Sequence, residues 1–482
     1  MSTITAPTYD PTTTAQALAQ KATASVQQQI TDQTTAATAT NKALSTLGSA
    51  ISAFQASLGV LTGTGKSMLA QGVTLSNTSV GSATATPSAA AGSYNLFVKQ
   101  VASASQVSYT VSGNAPRGGK LTIMLSPPAA ATTPPTAAQP VQPPVGKFSV
   151  DLGAAADSDG DGYLSVREIA AAINTDPSNS GRVSAGVVTL NGTTQLVLTS
   201  AQTGVANTVW LDSTAVNDSG LAGSLTLDKR VVTAEARDAV VLFGGTDSST
   251  GTEIRQASNV FSNIDGVALT VTSAQNSTDK PLTMTVARNS SGTQANVQSF
   301  VDAYNKLKSA IDALVTPGDP NSGKSAGAFA SDAGVRTLQS RLVSMLRTSA
   351  SPSLANYGIT AARDGTLALD STKLSKQLAL NPTGLDQLIG SASVASPKGI
   401  AGSLNTYLNQ WSNSTSGQIK QRTDATTRLQ ADLTKRQSTL DAQYNTAYDR
   451  YLKQFTELQT LQSTMNSNVS MFDALFSNDK SN

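Results

Sequence analysis

The sequence predicts an α+β protein: a helical coiled-coil leg formed by both termini, with a discontinuous β-rich, two-domain head inserted between them. Three observations carry this prediction. A heptad seam runs through the N-terminal segment, a second seam of the same spacing runs through the C-terminal one, and the region between them changes to the period-two pattern of strands. From Val26, alternate steps of four and three residues land on Ile30, Gln33, Ala37, Thr40, Leu44, Leu47, Ile51, Phe54, Leu58 and Leu61 without a slip. A straight helix drifts off a strict seven-residue repeat, so a seam held this long implies supercoiling against a partner. At the other end Tyr451, Phe455, Leu458, Met465, Val469, Phe472 and Phe476 keep the same stepping, broken only by Gln462. Two amphipathic helices of an ordinary bundle would show similar stripes. The length of the seams and their place at the two termini favour the leg.

In chain order, Met1 to Pro11 reads as a disordered arm. Asp10 before Pro11 is a helix start, because Asp accepts from the free first-turn N–H groups and Pro fits that turn. The helix then runs to about Leu61 and ends at Gly63 and Gly65. From about Val73 Ser, Thr and Val alternate, and Tyr94, Leu96 and Val98 share one side of a strand. Residues 127–145 are a Pro and Ala low-complexity insertion, read as an exposed loop because proline cannot donate to a sheet ladder. A strand in FSVDLG, an acidic loop and a short helix Val166 to Ile173 follow. Further strands are expected at Val183 to Leu190, Leu196 to Thr199 and Thr208 to Leu211, with Asn191-Gly192 as a hairpin turn. Another β block spans Ala239 to Val286. Helix returns at Asn296 to Val315, at Val335 to Leu346, and from about Gln418 to the end. The expected domains are therefore 1–70 (arm and leg), 71–100 with 234–292 (inner head), 101–233 (outer head), 293–417 (helical) and 418–482 (C-terminal leg).

Composition narrows the function. The chain has 482 residues, 33 Lys and Arg against 31 Asp and Glu, and only 13% charged side chains, so nothing in it suits polyphosphate or an anionic membrane. It has no cysteine and no histidine, which removes thiol nucleophiles, disulfides, Cys or His metal sites and His-based acid–base catalysis together. The remaining carboxylates are scattered singly, apart from one loop, and give no catalytic dyad. Trp210 and Trp411 are expected as core or interface anchors. No signal peptide is read at the N-terminus, and no apolar run is expected to reach the roughly 20 residues of a membrane span.

The loop is DSDGDGYLSVRE, residues 157–168. Numbered as a twelve-residue calcium loop, Asp157, Asp159 and Asp161 fill positions 1, 3 and 5, Gly162 the turn, and Tyr163 the carbonyl position. Leu164 fills the apolar eighth position, Ser165 the ninth and Glu168 the bidentate twelfth. Clustered carboxylates repel one another, and a hard divalent cation relieves that repulsion. The preceding segment reads as strand, so this is a lone loop with an exiting helix, expected to hold a weak, structural Ca²⁺. An acidic surface loop without metal is the alternative.

Several segments, in this order, resemble the flagellar hook-associated protein 2 family, the filament cap proteins of bacterial flagella. They are ALSTLGSAISAFQASL, YNLFVKQVASASQV, LSVREIAAAIN with VVTLNGTTQLVLTSAQTGVAN, ARDAVVLFGG, FSNIDGVALTV, VQSFVDAYNKL, YGITAARDGTLALDSTKL and YLKQFTELQTLQSTMNSNVSMFDALF. The resemblance implies a non-enzymatic protein secreted through the flagellar type III apparatus. It implies a homo-oligomeric ring at the filament tip, commonly a pentamer, that retains flagellin and promotes its folding and polymerisation. Hook-associated proteins at the hook–filament junction and an export chaperone are further implied partners. The Pro-rich insertion and the calcium-like loop depart from the family pattern. A hook–filament junction or filament subunit, and a calcium-dependent adhesin, are the alternative readings.

Overall fold

The computed structural model describes residues 10–126, 146–190, 192–319, 321, 323–347 and 353–477, with side chains to 475. The N-terminal arm, the Pro-rich insertion, Asn191 and the side chain of Phe476 lie outside the described residues. Two compact units emerge, one of residues 69–292 and one joining the chain up to Met68 with the chain from Thr293.

The chain opens with α1 (Pro11–Thr62), whose Asp10 accepts from the N–H of Thr12 and Thr13 at 3.2 and 3.0 Å. Strands β1 (Ala70–Leu75), β2 (Gly81–Ala85), β3 (Gly92–Gln100), β4 (Ala104–Thr110), β5 (Ala115–Pro116), β6 (Lys120–Leu125), β7 (Lys147–Asp151) and β8 (Tyr163–Leu164) follow. Helix α2 (Val166–Thr175) precedes β9 (Val183–Leu190), β10 (Thr193–Thr203) and β11 (Val209–Asp212). After the short α3 (Ser219–Ser224) come β12 (Val231–Ala234), β13 (Ala239–Phe243), β14 (Thr252–Gln256), β15 (Val260–Ile264), β16 (Val267–Val271) and β17 (Leu282–Asn289).

These strands build two cores inside the 69–292 unit. The first lies between the antiparallel five-stranded sheet β1-β17-β3-β13-β14 and the three-stranded sheet β15-β16-β2, and is filled by Leu96, Val98, Val241, Phe261, Leu269 and Met284. The expected alternation of Tyr94, Leu96 and Val98 is only half the pattern, because Phe97 is buried as well. β3 sits inside its sheet, between β17 and β13, where both faces can be covered. The second core joins the sheets β12-β4-β10-β9 and β11-β6-β7 to α2 through Tyr109, Ile123, Val150, Ile169, Leu196 and Leu198. Leu190 stands opposite Thr193 across the β9–β10 turn, where Gly192 takes a φ of 75° that L side chains rarely adopt.

The other unit is helical. From Thr293 on it contains α4 (Ser290–Val315), whose first three residues belong to the β-rich unit, α5 (Ala333–Leu346), the hairpin β18 (Ile359–Ala361) and β19 (Leu367–Leu369), then α6 (Ser371–Leu380), α7 (Gly384–Ile389), α8 (Gly399–Ser412) and α9 (Gln418–Ser477). Helix α4 starts before the expected Asn296. Its first turn is polar, so hydrophobic spacing does not reveal it; Asn289 Oδ1 marks it by accepting from the Gly292 N–H at 2.9 Å. Thus both terminal helices pack together and flank a β-rich region, the architecture expected from the sequence.

Candidate assembly helices and acidic loop

Helices α1 and α9 run antiparallel. Asn41 Nδ2 donates to Gln430 Oε1 at 2.8 Å, and Gln27 and Gln437 exchange amide hydrogen bonds of 3.0 and 2.8 Å, so rising numbers on one helix meet falling numbers on the other. On α1 the seam residues Ile30, Ala37, Leu44, Leu47, Ile51, Phe54, Leu58 and Leu61 are buried, Gln33 and Thr40 partly so, and Val26 is exposed. The part-buried Asn41–Gln430 pair fixes the register, since a slipped pairing would leave its amides without partners. Asn41 Oδ1 is buried with no partner, a cost that this fixing carries.

On α9 the structure separates two stretches that periodicity joins. The residues that face α1 are Thr426, Gln430, Leu433, Gln437, Leu440 and Tyr444, and of these Leu433 and Leu440 are only 2% and 4% exposed. The expected stripe lies farther along: Tyr451 and Phe455 are half-buried, while Leu458, Met465, Val469 and Phe472 are exposed, Met465 by 56% and Phe472 by 55%. Leu461, Met471 and Leu475 widen this exposed apolar surface. Stepping backwards from Tyr451 in fours and threes reaches Ala447, Tyr444, Leu440, Gln437, Leu433, Gln430 and Thr426, so the contact seam was readable in the sequence. Two steps of four meet at Tyr451, a stutter that locally unwinds a coiled coil and separates the two stretches in register as well.

The end of the α1 seam enters the helical unit's own core. Phe54 meets the rings of Phe300 and Tyr304 at 6.4 and 6.3 Å. The Trp411 indole is buried beneath the Arg422 guanidinium, 5.4 Å from its centroid, and Arg422 also pairs with Asp332 at 2.7 Å. Trp210, by contrast, is partly covered by Arg230 at 4.3 Å. The expectation about membrane spans needs correction, because α1 is long enough and apolar enough to cross one. Leu44, Leu47, Ile51 and Phe54 instead pack inside the protein, as the apolar face of a core helix does.

The acidic loop is held by its own backbone. Asp157 accepts from the N–H of Gly160 and Gly162 at 2.7 and 2.9 Å, and Asp161 from Tyr163 N at 2.7 Å and Asn114 Nδ2 at 3.1 Å. Gly160 and Gly162 have φ of 75° and 81°, the left-handed turns that let the chain fold back over these carboxylates. Oxygens of Asp157, Asp159 and Asp161 lie within 4.8 Å of one another, close enough to share a cation. Leu164 is buried, and it pairs with Ala115 in the short β5–β8 ladder, where Tyr163 pairs with Pro116. Glu168 is arranged differently. Its Oε1 accepts from Ser158 N and Oγ at 2.5 and 2.6 Å and its Oε2 from Ser165 N and Oγ at 2.9 and 2.8 Å, while Ser165 Oγ accepts from Glu168 N, a capping box at the start of α2. The Ser158 hydroxyl, with the Ser165 and Ser158 N–H groups, holds this carboxyl down at about 2. Three of the expected ligand groups therefore converge, and the twelfth is committed to the helix cap. Among the described residues no nucleophile–base pair accompanies them.

Comparison with known proteins agrees with the architecture. Residues 8–105 match the family model for the flagellar hook-associated protein 2 N-terminus, and residues 236–467 match that for its C-terminus. The acidic loop and the sheet beside it fall between the two matches. The lateral flagellar hook-associated protein 2 of Vibrio parahaemolyticus is 32% identical over 402 residues, covering 81% of this chain and 82% of the relative. The B-type flagellar hook-associated protein 2 of Pseudomonas aeruginosa is 27% identical over 446 residues, covering 88% and 86%. The crystal structure of the flagellar cap protein FliD D1-D2-D3 domains from Escherichia coli aligns with a TM-score of 0.55 at 26% identity, over 81% of this chain and 99% of that one. By sequence and by fold, this chain belongs to the flagellar hook-associated protein 2 family.

Proposed function

We propose that this protein sits as a ring of identical subunits at the growing filament end, retains exported flagellin there and promotes its folding and polymerisation. Family membership makes the chain a secreted, non-enzymatic cap and assembly protein of the flagellar filament tip, one that self-associates and interacts with flagellin. The finer reading rests on one observation: the last third of α9 presents Leu458, Leu461, Met465 and Val469 to solvent on a helix whose first half is already paired with α1. An apolar stripe of this length gains most when another helix covers it, at roughly 25 cal/mol per Å² removed from water. A helix at the filament end would cover it, and the uncharged contacts would allow release as each subunit is added. Export would use a chaperone that shields the same stripe, and hook-associated proteins at the junction would receive the cap first. A pentamer is the expected ring.

The experiment is a triple substitution, Leu458→Ser, Met465→Ser and Val469→Ser, in cells lacking the native protein. Secreted cap with flagellin lost as monomer into the medium is the expected result. Filaments of normal length would remove the stripe from the mechanism.

We also propose that the 157–161 loop holds a structural Ca²⁺ on Asp157, Asp159 and Asp161, with the Tyr163 carbonyl and Ser165 completing it. Glu168 joins only by releasing part of its helix cap, which places affinity in the weak range of about 10⁻⁴ to 10⁻³ M. Calcium should raise the melting temperature of the parent and not that of Asp157→Ala, which also starts lower in chelator because the Gly160 and Gly162 N–H groups lose their acceptor. An equal calcium-induced shift in parent and variant, or none in the parent, would refute the site.

A further inference from the structure

The sheet β12-β4-β10-β9 ends in two edges, and they are guarded unequally. In β9 the turn closes on the pair Leu190 and Thr193, so Leu190, Val188, Gly186 and Ser184 turn their backbone groups toward β10. The N–H and C=O groups of Val183, Ala185, Val187 and Thr189 point away from the sheet. Two asparagines cover the first pair. Asn179 donates to Val183 O at 2.8 Å and accepts from Val183 N at 3.0 Å, and Asn174 does the same at Ala185, at 2.8 Å each way. Each side chain imitates a neighbouring strand, which is how natural proteins block an edge. The guarding stops there, and Val187 and Thr189 are left open.

The opposite edge is open over a shorter stretch, because the Arg230 N–H before it already donates to Leu227 O. Val231 is aligned with Ser108 of β4, and the same alternation leaves the backbone of Val232 facing outward before a bulge at Thr233 ends the regular ladder. Neither open stretch carries a charged residue. Val188 and Leu190 are exposed on one, Val231 and Val232 on the other. Edge strands normally carry lysine, proline or an inward charge at such places to prevent pairing.

We propose that β9 of one copy pairs with β12 of a second copy, antiparallel, so that the sheet continues across the subunit boundary. This rests on the reading of the protein as a self-associating ring. Alternation of direction along β12-β4-β10-β9 makes the next strand antiparallel to β9, which β12 satisfies. Placing Val187 opposite Val232 of the second copy puts both side chains on the face that bears the core, and Val188 then faces Val231 on the outer face. Valine meets valine on both faces, and Thr189 falls opposite Arg230, whose guanidinium already lies over the Trp210 ring. Because the two edges differ, the contact is head-to-tail, and every added copy presents the same pair of edges again until the ring closes.

The natural absence of cysteine allows a direct test. Val188 and Val231 would form a non-hydrogen-bonded antiparallel pair with Cα atoms about 4.5 Å apart, within disulfide reach. Inside one chain β9 and β12 are separated by β10 and β4, about 14 Å at the usual strand spacing, which forbids an internal bridge. Full-length V188C and V231C are mixed and mildly oxidised, beside each variant alone, with S184C replacing V188C as a probe of the guarded half; mass in solution is measured in parallel. A disulfide-linked dimer only in the V188C and V231C mixture is the expected result. Oligomers that form without that link overturn the edge pairing and leave the ring standing. A chain that stays monomeric at every concentration overturns both.

Discussion

The two stretches of α9 carry the same hydrophobic spacing and opposite burial. From Thr426 to Tyr444 the seam lies against α1, with Leu433 and Leu440 out of water; from Leu458 to Leu475 the apolar side chains stand exposed. The difference follows from where α1 begins. Its described helix starts at Pro11, and the antiparallel register that puts Gln27 against Gln437 leaves no α1 residue to reach the last turns of a helix 60 residues long. Periodicity states which face of a helix wants cover, and only length and register state what covers it.

The contrast can be broken at its buried end first. Leu433→Ala should destabilise the helical unit by about 2–5 kcal/mol, the range for truncating a leucine whose cavity cannot collapse. Denaturant unfolding followed by far-UV circular dichroism measures it, and a change below about 1 kcal/mol would mean that the α1–α9 seam adds little in the isolated chain.

A smaller effect tests the same distinction between committed and uncommitted groups in the acidic loop. Glu168 has its folded-state value lowered from 4.5 to about 2 by hydrogen bonds, so the stability it contributes is fully present above pH 4.5 and disappears as pH falls toward 2. Glu168→Gln should flatten that part of the acid melting curve of the β-rich unit. An unchanged slope between those values would show that the cap at Ser165 contributes nothing to the titration.

The smallest effect sharpens the comparison from the exposed end. Met465→Ala should change the stability of the isolated chain by less than about 0.5 kcal/mol, as for a surface position, in the same assay that separates Leu433→Ala. A loss of 2 kcal/mol or more, as for a buried side chain, would mean that the stripe is already covered within the free protein.

Much of the fold was legible in the residues. The α1 seam, its Asp10 cap, the long C-terminal helix from Gln418, the helix after the acidic loop and the hairpin around Gly192 each follow from local rules of period, capping and turn chemistry. The polar first turn of α4 was not legible, because no apolar residue marks it. The β18–β19 hairpin leaves no period-two signal, because each of its strands is only three residues long.

By itself the sequence determined which faces are apolar, where helices begin, the family, and the acidic residues that converge in the loop. Tertiary structure decided what no local pattern contains. It assigned α1 to Leu433 and Leu440 and not to the stripe beyond Tyr451, and it set Phe54 against Phe300 and Tyr304. Spacing along a chain repeats identically in paired and unpaired segments. Partners are chosen by the register of a second element, which lies hundreds of residues away.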